Sequence, residues 1–272
     1  MKRTMRSVSL TRPQDKALGR AIKSLDHVDF PQALSHFVSK VVEFDNLILI
    51  VYYKNHNPRV VYREYKDPRV YRDMDSHYVK AAYLLDPFYQ AALDGLQSGV
   101  HQIFDLAPDQ FKKTSYFLEY YRDTTLVDEF AVFARLGHNT TLTACFGRDH
   151  TSNTPFSRQE LAAVRNYEHI LTALCEQYWK EYVPEEGVGV TLPPVTDRLR
   201  TELVNQHNIS LSPRQAEVAL YILQGHSSLS ISLNLDISKE TVKVFRKQLY
   251  AKCNISSQAE LFALLMPIFS IL

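Results

Sequence analysis

The residues from Ser238 to Lys252 constrain the fold more than any other stretch. Val242, Phe245 and Leu249 recur at spacings of three and four, so a helix places them together on an inward face. Lys239, Lys243, Arg246, Lys247 and Tyr250 then fall on the opposite face. The segment holds five cations and one acid, Glu240. A helix that is apolar on one side and cationic on the other fits a DNA major groove, where cations neutralise phosphates and donate to guanine edges. The flanks follow the same plan. Ser212 reads as an N-cap, Pro213 as the first helical residue and Gln215 as the closing member of a capping box. Gly225 is a helix stop. A short helix over 227–233 leads through Asn234-Leu235-Asp236-Ile237 into the cationic helix, which Ser238 caps. Ser257 and Glu260 form a further capping box that opens a closing helix. This order over 211–261 predicts an all-α, four-helix C-terminal unit of helix-turn-helix type.

The runs LSPRQAEV, LQGHSS and ISKETVKVFRKQLYAKCNISSQAEL resemble the LuxR-type helix-turn-helix domain over about the last quarter of the chain. By that resemblance Lys243, Val244 and Lys247 face base edges, and Thr241 and Arg246 touch the DNA backbone. With Lys239 at the helix start, these form the predicted DNA-binding set. The resemblance also implies activation more often than repression, with RNA polymerase as the partner. Three positions differ from the family pattern. Gln215 and Ser230 stand where acids are usual, and Phe245 stands where histidine is common.

At 272 residues the chain is long for one domain and suits two. We expect an α+β sensor and dimerisation domain over 1–183, a linker over 184–209 and the DNA-binding domain over 210–272. The linker reading rests on Gly187, Gly189, Pro193 and Pro194, and residues 196–207 read as a helical lead-in. The formal net charge is only +1, so the cations matter by position. Cys145, Cys175 and Cys253 are odd in number and widely spaced, which argues against a disulfide framework or zinc site and suits a reducing cytosol. No cofactor or metal is expected. No 18-residue apolar run is present, so no membrane helix is predicted, and the expected location is cytoplasmic.

In the N-terminal part, helices are predicted over 12–25, from Pro31 onward, over 87–96 with Asp86 as cap, and over 114–121. Strands are predicted over 46–52, 59–65, 129–136 and 141–146, the last two joined at Gly137-His138-Asn139. Helices leading and trailing a short antiparallel sheet give a fold of the GAF or PAS kind by element order. Residues 157–182 read as the longest helix. Its seam of Leu161, Val164, Leu171, Leu174 and Tyr178 is the predicted homodimer interface.

Eleven of the sixteen tyrosines lie between Tyr52 and Tyr121, with acids among and beyond them. Tyr83, Asp86, Phe88, Tyr89, Tyr116, Tyr120, Tyr121, Asp128 and Glu129 form a candidate pocket. Aromatic faces with carboxylates suit a cationic or aromatic ligand. Asp86-Pro87 after Tyr83 also looks like part of the acyl-homoserine-lactone pocket of quorum-sensing LuxR proteins, but that pocket's tryptophans are missing, which argues against such a lactone. Nucleotide-binding, hydrolase and zinc-protease motifs are absent, so no enzyme is predicted. The leading reading is a ligand-responsive regulator that binds a double-stranded palindromic operator as a dimer. One alternative makes the N-terminal domain a dimerisation or protein-interaction module without a ligand. Another makes it a small-molecule enzyme fused to a DNA reader.

Overall fold

The computed structural model describes residues 12–272 apart from 55, 122–123, 138 and 183–192, and leaves the side chain of Tyr120 undescribed. Gly187, Gly189 and His138 therefore fall outside the described residues. The N-terminal part is built on one five-stranded antiparallel sheet. Its strands are β1 (Asn46–Tyr53), β2 (Arg59–Tyr65), β3 (Gly99–Gln102), β4 (Leu126–Gly137) and β5 (Thr140–Asp149), in the order β2-β1-β5-β4-β3. The four longer strands contain the predicted spans, with β4 starting earlier at Leu126 and β5 running on to Asp149. The four-residue β3 is too short to show a period and was not expected.

Every residue of β1 is buried, because both faces of the sheet are covered. Successive side chains point to opposite faces. Leu47, Leu49 and Val51 join Phe130, Val132, Leu142 and Phe146 in one apolar core. Regular helices cover that side: α1 (Pro13–Lys23), α2 (Phe30–Val38), α5 (Arg158–Arg165) and α6 (Glu168–Tyr178). Ile48, Ile50 and Tyr52 point the other way, into a second core with Ala131, Phe133 and Cys145. This side is covered by short pieces: α3 (Pro87–Leu93), α4 (Ile103–Leu106), 3-10 turns at Pro68–Tyr71, Ala82–Leu85 and Phe111–Lys113, and π-helical turns at Met74–Tyr78 and Tyr116–Tyr121. The α+β class with flanking helices is as expected. The 114–121 segment is π-helical rather than α-helical over most of its length.

The 157–182 helix requires correction. It is two helices, broken at Asn166 and Tyr167. The Ser157/Glu160 capping box is present, but Tyr167 leaves helical geometry at φ −107°, ψ 7° and sets its ring edge-on to Phe37 at 5.3 Å. The dimerisation seam is corrected with it. Leu161, Val164, Leu171 and Leu174 are buried against the sheet of their own chain, and Tyr178 stacks on Phe30 at 4.4 Å. Those side chains pack within the fold of their own chain.

The C-terminal part comprises α7 (Val195–His207), α8 (Pro213–Gln224), α9 (Ser228–Leu235), α10 (Lys239–Cys253) and α11 (Gln258–Phe269). The lead-in helix α7 packs on α8 and α11, so it is an integral part of this bundle. Ends are set locally: Asn208, Gly225, Asp236 and Asn254 each take the left-handed conformation that closes a helix. The apolar tail after Leu261 packs on α7 and α8 and, in part, on the sensor of the same chain, with Ile271 left 58% exposed. Ile268 and Phe269 are buried, and α11 meets the Ala82–Leu85 turn. The C-terminal bundle and the sensor therefore share one continuous core.

Candidate nucleic-acid interface and sensor cavity

Helix α10 separates its two faces as its spacing predicts. Val242 and Leu249 are fully buried, and Phe245 packs half-buried against the same core. Lys239, Lys243 and Lys247 are exposed, and Val244 is 52% exposed. Arg246 is partly covered and reaches Ser228 Oγ at 3.4 Å. Ser238 caps the helix by accepting from Thr241 N at 3.0 Å, and its hydroxyl also meets Thr241 Oγ1 at 2.8 Å. Glu240 lies 3.7 Å from Lys243, with both side chains in solvent, so this pair leaves the lysine free to exchange partners. The fifth cation belongs elsewhere: Lys252 donates to Ser210 O at 2.8 Å and Gln215 Oε1 at 3.0 Å.

Gln215 and Ser230, two departures from the family pattern, both have structural work. Gln215 closes the capping box with Ser212 and donates to Gln248 Oε1 at 3.1 Å, tying α8 to α10. Ser230 Oγ meets His226 Nδ1 at 2.7 Å.

In the sensor, the sheet and the π-helical turns surround a small cavity of mixed lining, with Ile48, Ile50, Met74, Phe88 and Leu126 on its apolar side. Its walls include Asn46 and Tyr52 of β1, Tyr78 and Tyr116 of the two π-turns, Asp86, Glu129 and Cys145. Tyr52 Oη and Tyr78 Oη lie 2.6 Å apart, and Tyr78 Oη donates to Asp86 Oδ2 at 2.5 Å. Asp86 also caps α3, accepting from Phe88 N at 2.7 Å. Tyr121 donates to Glu129. Desolvation pushes the Asp86 carboxyl up to about 6, against the pull of these donors. Glu129 is partly exposed as a residue, but its carboxyl is enclosed. Burial, and then the charge of Asp86, push it up to about 8. Among the described residues, no Lys, Arg or His lines the cavity. The free space is about 20 Å³, close to what a single water needs.

Residues 209–265 match the family described as bacterial regulatory proteins of the luxR family. The C-terminal domain belongs to the luxR family. The chain is also 29% identical, over 66% of its length and 93% of the relative's, to a protein of Aeromonas salmonicida described as an HTH-type transcriptional regulator in the exeN 3′ region. The VqsR LBD domain of Pseudomonas aeruginosa covers 60% of this chain and 94% of its own, with 21% identity and a TM-score of 0.51, so the sensor shares that fold. SdiA of Escherichia coli aligns over 94% of this chain and 98% of its own at 16% identity, with a TM-score of 0.41. A luxR-family domain over 209–265 gives the chain the DNA-binding module of a transcriptional regulator.

The luxR-family domain brings Lys239, Thr241, Lys243, Val244, Arg246 and Lys247 together on one helix. The predicted ligand set is more divided. Asp86, Phe88, Tyr116 and Glu129 line the cavity, and Tyr121 is bonded to Glu129 at its edge. Tyr83 and Tyr89 do not line it. Their rings stack edge-on at 4.8 Å, and Tyr83 bonds Asn57 and Arg198 of α7. Asp128 is a clear correction. It is one residue from Glu129 on a strand, so it points to the opposite face. There it accepts from Phe156 N at 3.0 Å and Gln102 Nε2 at 3.1 Å, fastening the approach to α5. Tyr120 lies outside what is described. Tyr52, Tyr78 and Asn46 were missed. The period of β1 was the available signal for Tyr52, which shares a face with Ile48 and Ile50.

Proposed function

We propose that the chain is a ligand-responsive transcriptional regulator whose sensor takes a small cationic ligand. The observation that carries this reading is the pair of enclosed carboxyls, Asp86 and Glu129, in a tyrosine-lined cavity on whose wall the described residues place no cationic side chain. Buried charge is costly unless paired, and an organic cation supplies the missing partner while tyrosine faces favour it further. The closed cavity holds about one water, so entry requires the π-helical turns to move. Such turns are uncommon, and they occur frequently at functional sites. A ligand that binds the opened form better shifts the sensor toward it.

On this reading the chain acts in the cytoplasm, as a homodimer on an imperfect palindrome, and activates transcription through RNA polymerase. The dimer follows from the limited charge of one domain: four cations on the open face of α10 make too few phosphate contacts for tight binding. We keep the sensor at 1–183 and the DNA-binding domain at 210–272, and within the 184–209 segment α7 is counted with the C-terminal bundle on which it packs. Native mass spectrometry of the purified chain tests the ligand. A copurifying amine that Asp86→Asn fails to retain supports the proposal. Retention of the same molecule at wild-type occupancy by Asp86→Asn and by Glu129→Gln would remove the cationic ligand.

The DNA reading gives its own result. Against an operator selected from random duplexes, Lys243→Ala and Lys247→Ala should each cost about 1–3 kcal/mol and relax sequence preference. Lys252→Ala should leave the preference intact, because its ammonium is held by Ser210 and Gln215. Equal binding by all four proteins in a gel-shift titration would place the docking surface elsewhere.

A further inference from the structure

The two domains meet along a close seam. Gln110 N donates to Gly225 O at 2.9 Å, Ser227 N to Asp109 Oδ1 at 2.9 Å and Gln224 Nε2 to Leu84 O at 3.2 Å. A Cβ on Gly225 would come within 2.7 Å of Phe111 Cα, so only glycine permits this approach. Beside the seam lies a cleft of about 410 Å³, distinct from the sensor cavity. That volume falls in the range of small-molecule sites, of which junctions between domains are a frequent location.

The cleft has an apolar part, formed by Leu85, Pro87, Ala91, Leu96 and Leu106, and a polar part made of acceptors. Gln90 Nε2 and Gln224 Nε2 both donate to Leu84 O, at 2.9 and 3.2 Å. Each amide therefore directs its Oε1 away from that bond, and neither Oε1 accepts from a described residue. Asp94 stands at the exposed edge, at the C-terminal end of α3, where the helix dipole adds negative potential. It forms no ion pair among the described residues, and desolvation raises its carboxyl. His226, which also lines the cleft, is held toward its neutral form by desolvation, so it does not oppose a cation near neutral pH.

We propose that this interdomain cleft is a second small-molecule site, for an organic cation with an apolar body and a donor head group. The apolar body lies against Leu85, Ala91 and Leu96, and the ammonium faces the two glutamine oxygens and Asp94. The luxR-family domain supplies Gln224 and His226 and the sensor supplies the rest. An occupant therefore makes its full set of contacts only when the domains are docked, and it favours that arrangement. The proposal is independent of the ligand reading for the central cavity.

The test uses the full chain and two probes of similar shape, 2-phenylethylammonium and neutral 2-phenylethanol, in saturation-transfer NMR titrations. The cation should bind saturably and more tightly than the alcohol. Asp94→Asn should weaken the cation about fivefold, as expected for a partly exposed ion pair, and change the alcohol less than twofold. Ala91→Phe should abolish both by filling the cleft, with thermal unfolding confirming that the variant is folded. Absence of saturable binding, or binding that survives Ala91→Phe, overturns the proposal. Loss of the cation in Asp86→Asn alone also overturns it, and would place the probe in the sensor cavity instead.

Discussion

Leu171→Asp is expected to leave the sensor unfolded, not to convert a dimer into folded monomers. Leu171 is 2% exposed and lies in the same apolar core as Phe30, Val132 and Trp179. Truncating a buried leucine costs about 2–5 kcal/mol. A carboxylate placed there without a partner adds several kcal/mol more. The total approaches the roughly 5–15 kcal/mol by which domains are stable. Ile170, one residue earlier, is 39% exposed, and Ile170→Asp should stay within about 0.5 kcal/mol of wild type. Soluble expression and urea unfolding followed by circular dichroism distinguish the two. A soluble Leu171→Asp with a wild-type midpoint would contradict the packing of α6 on the sheet.

The second large effect is the pH dependence of the ligand-free chain. Glu129 titrates near 8 when folded, against an ordinary 4.5. Between these values the folded state holds a proton that the unfolded state has lost, so stability is fully present below about 4.5 and falls as pH rises through 8. At 1.36 kcal/mol per unit the upper bound is about 5 kcal/mol. Asp86, raised to about 6, acts in the same direction at the lower end of this window. His226, shifted downward, opposes it near its ordinary titration range. The groups that raise the Glu129 carboxyl are Asp86 and Asp128, and Tyr121 donates to it. Glu129→Gln keeps an acceptor for Tyr121 and removes the titration. Urea midpoints of the wild type should therefore fall from pH 5 to 8, and those of Glu129→Gln should fall much less. Parallel curves for the two proteins would show that Glu129 is ionised at neutral pH.

Local chemistry made the DNA-reading half legible. Its caps are carried by adjacent residues: Ser212 with Gln215, Ser238 with Thr241, Ser257 with Glu260. The cationic and apolar faces of α10 follow from helical period alone. The sensor was legible as strands and helices, because Leu47, Ile48, Leu49, Ile50 and Val51 admit few other readings. Which acid enters the cavity was also written in the sequence, since adjacent strand residues must diverge. Treating Asp128 and Glu129 as one pair ignored that period.

Three features depended on the third dimension. The break at Asn166–Tyr167 comes with the seating of Tyr167 against Phe37, a contact 130 positions away in sequence. The seam of α5 and α6 could have faced a partner or the sheet, because an apolar stripe specifies that it must be covered and not by what. Likewise the burial of Ile268 and Phe269 in the C-terminal tail depends on contacts with α7, α8 and the 82–85 turn of the same chain. The sequence by itself determined the elements, their caps and the cationic face of α10, all of which depend on neighbours a few residues apart. The tertiary structure decided which surfaces meet, and so where the cavity, the domain seam and the cleft lie, because those depend on contacts between residues far apart in the chain.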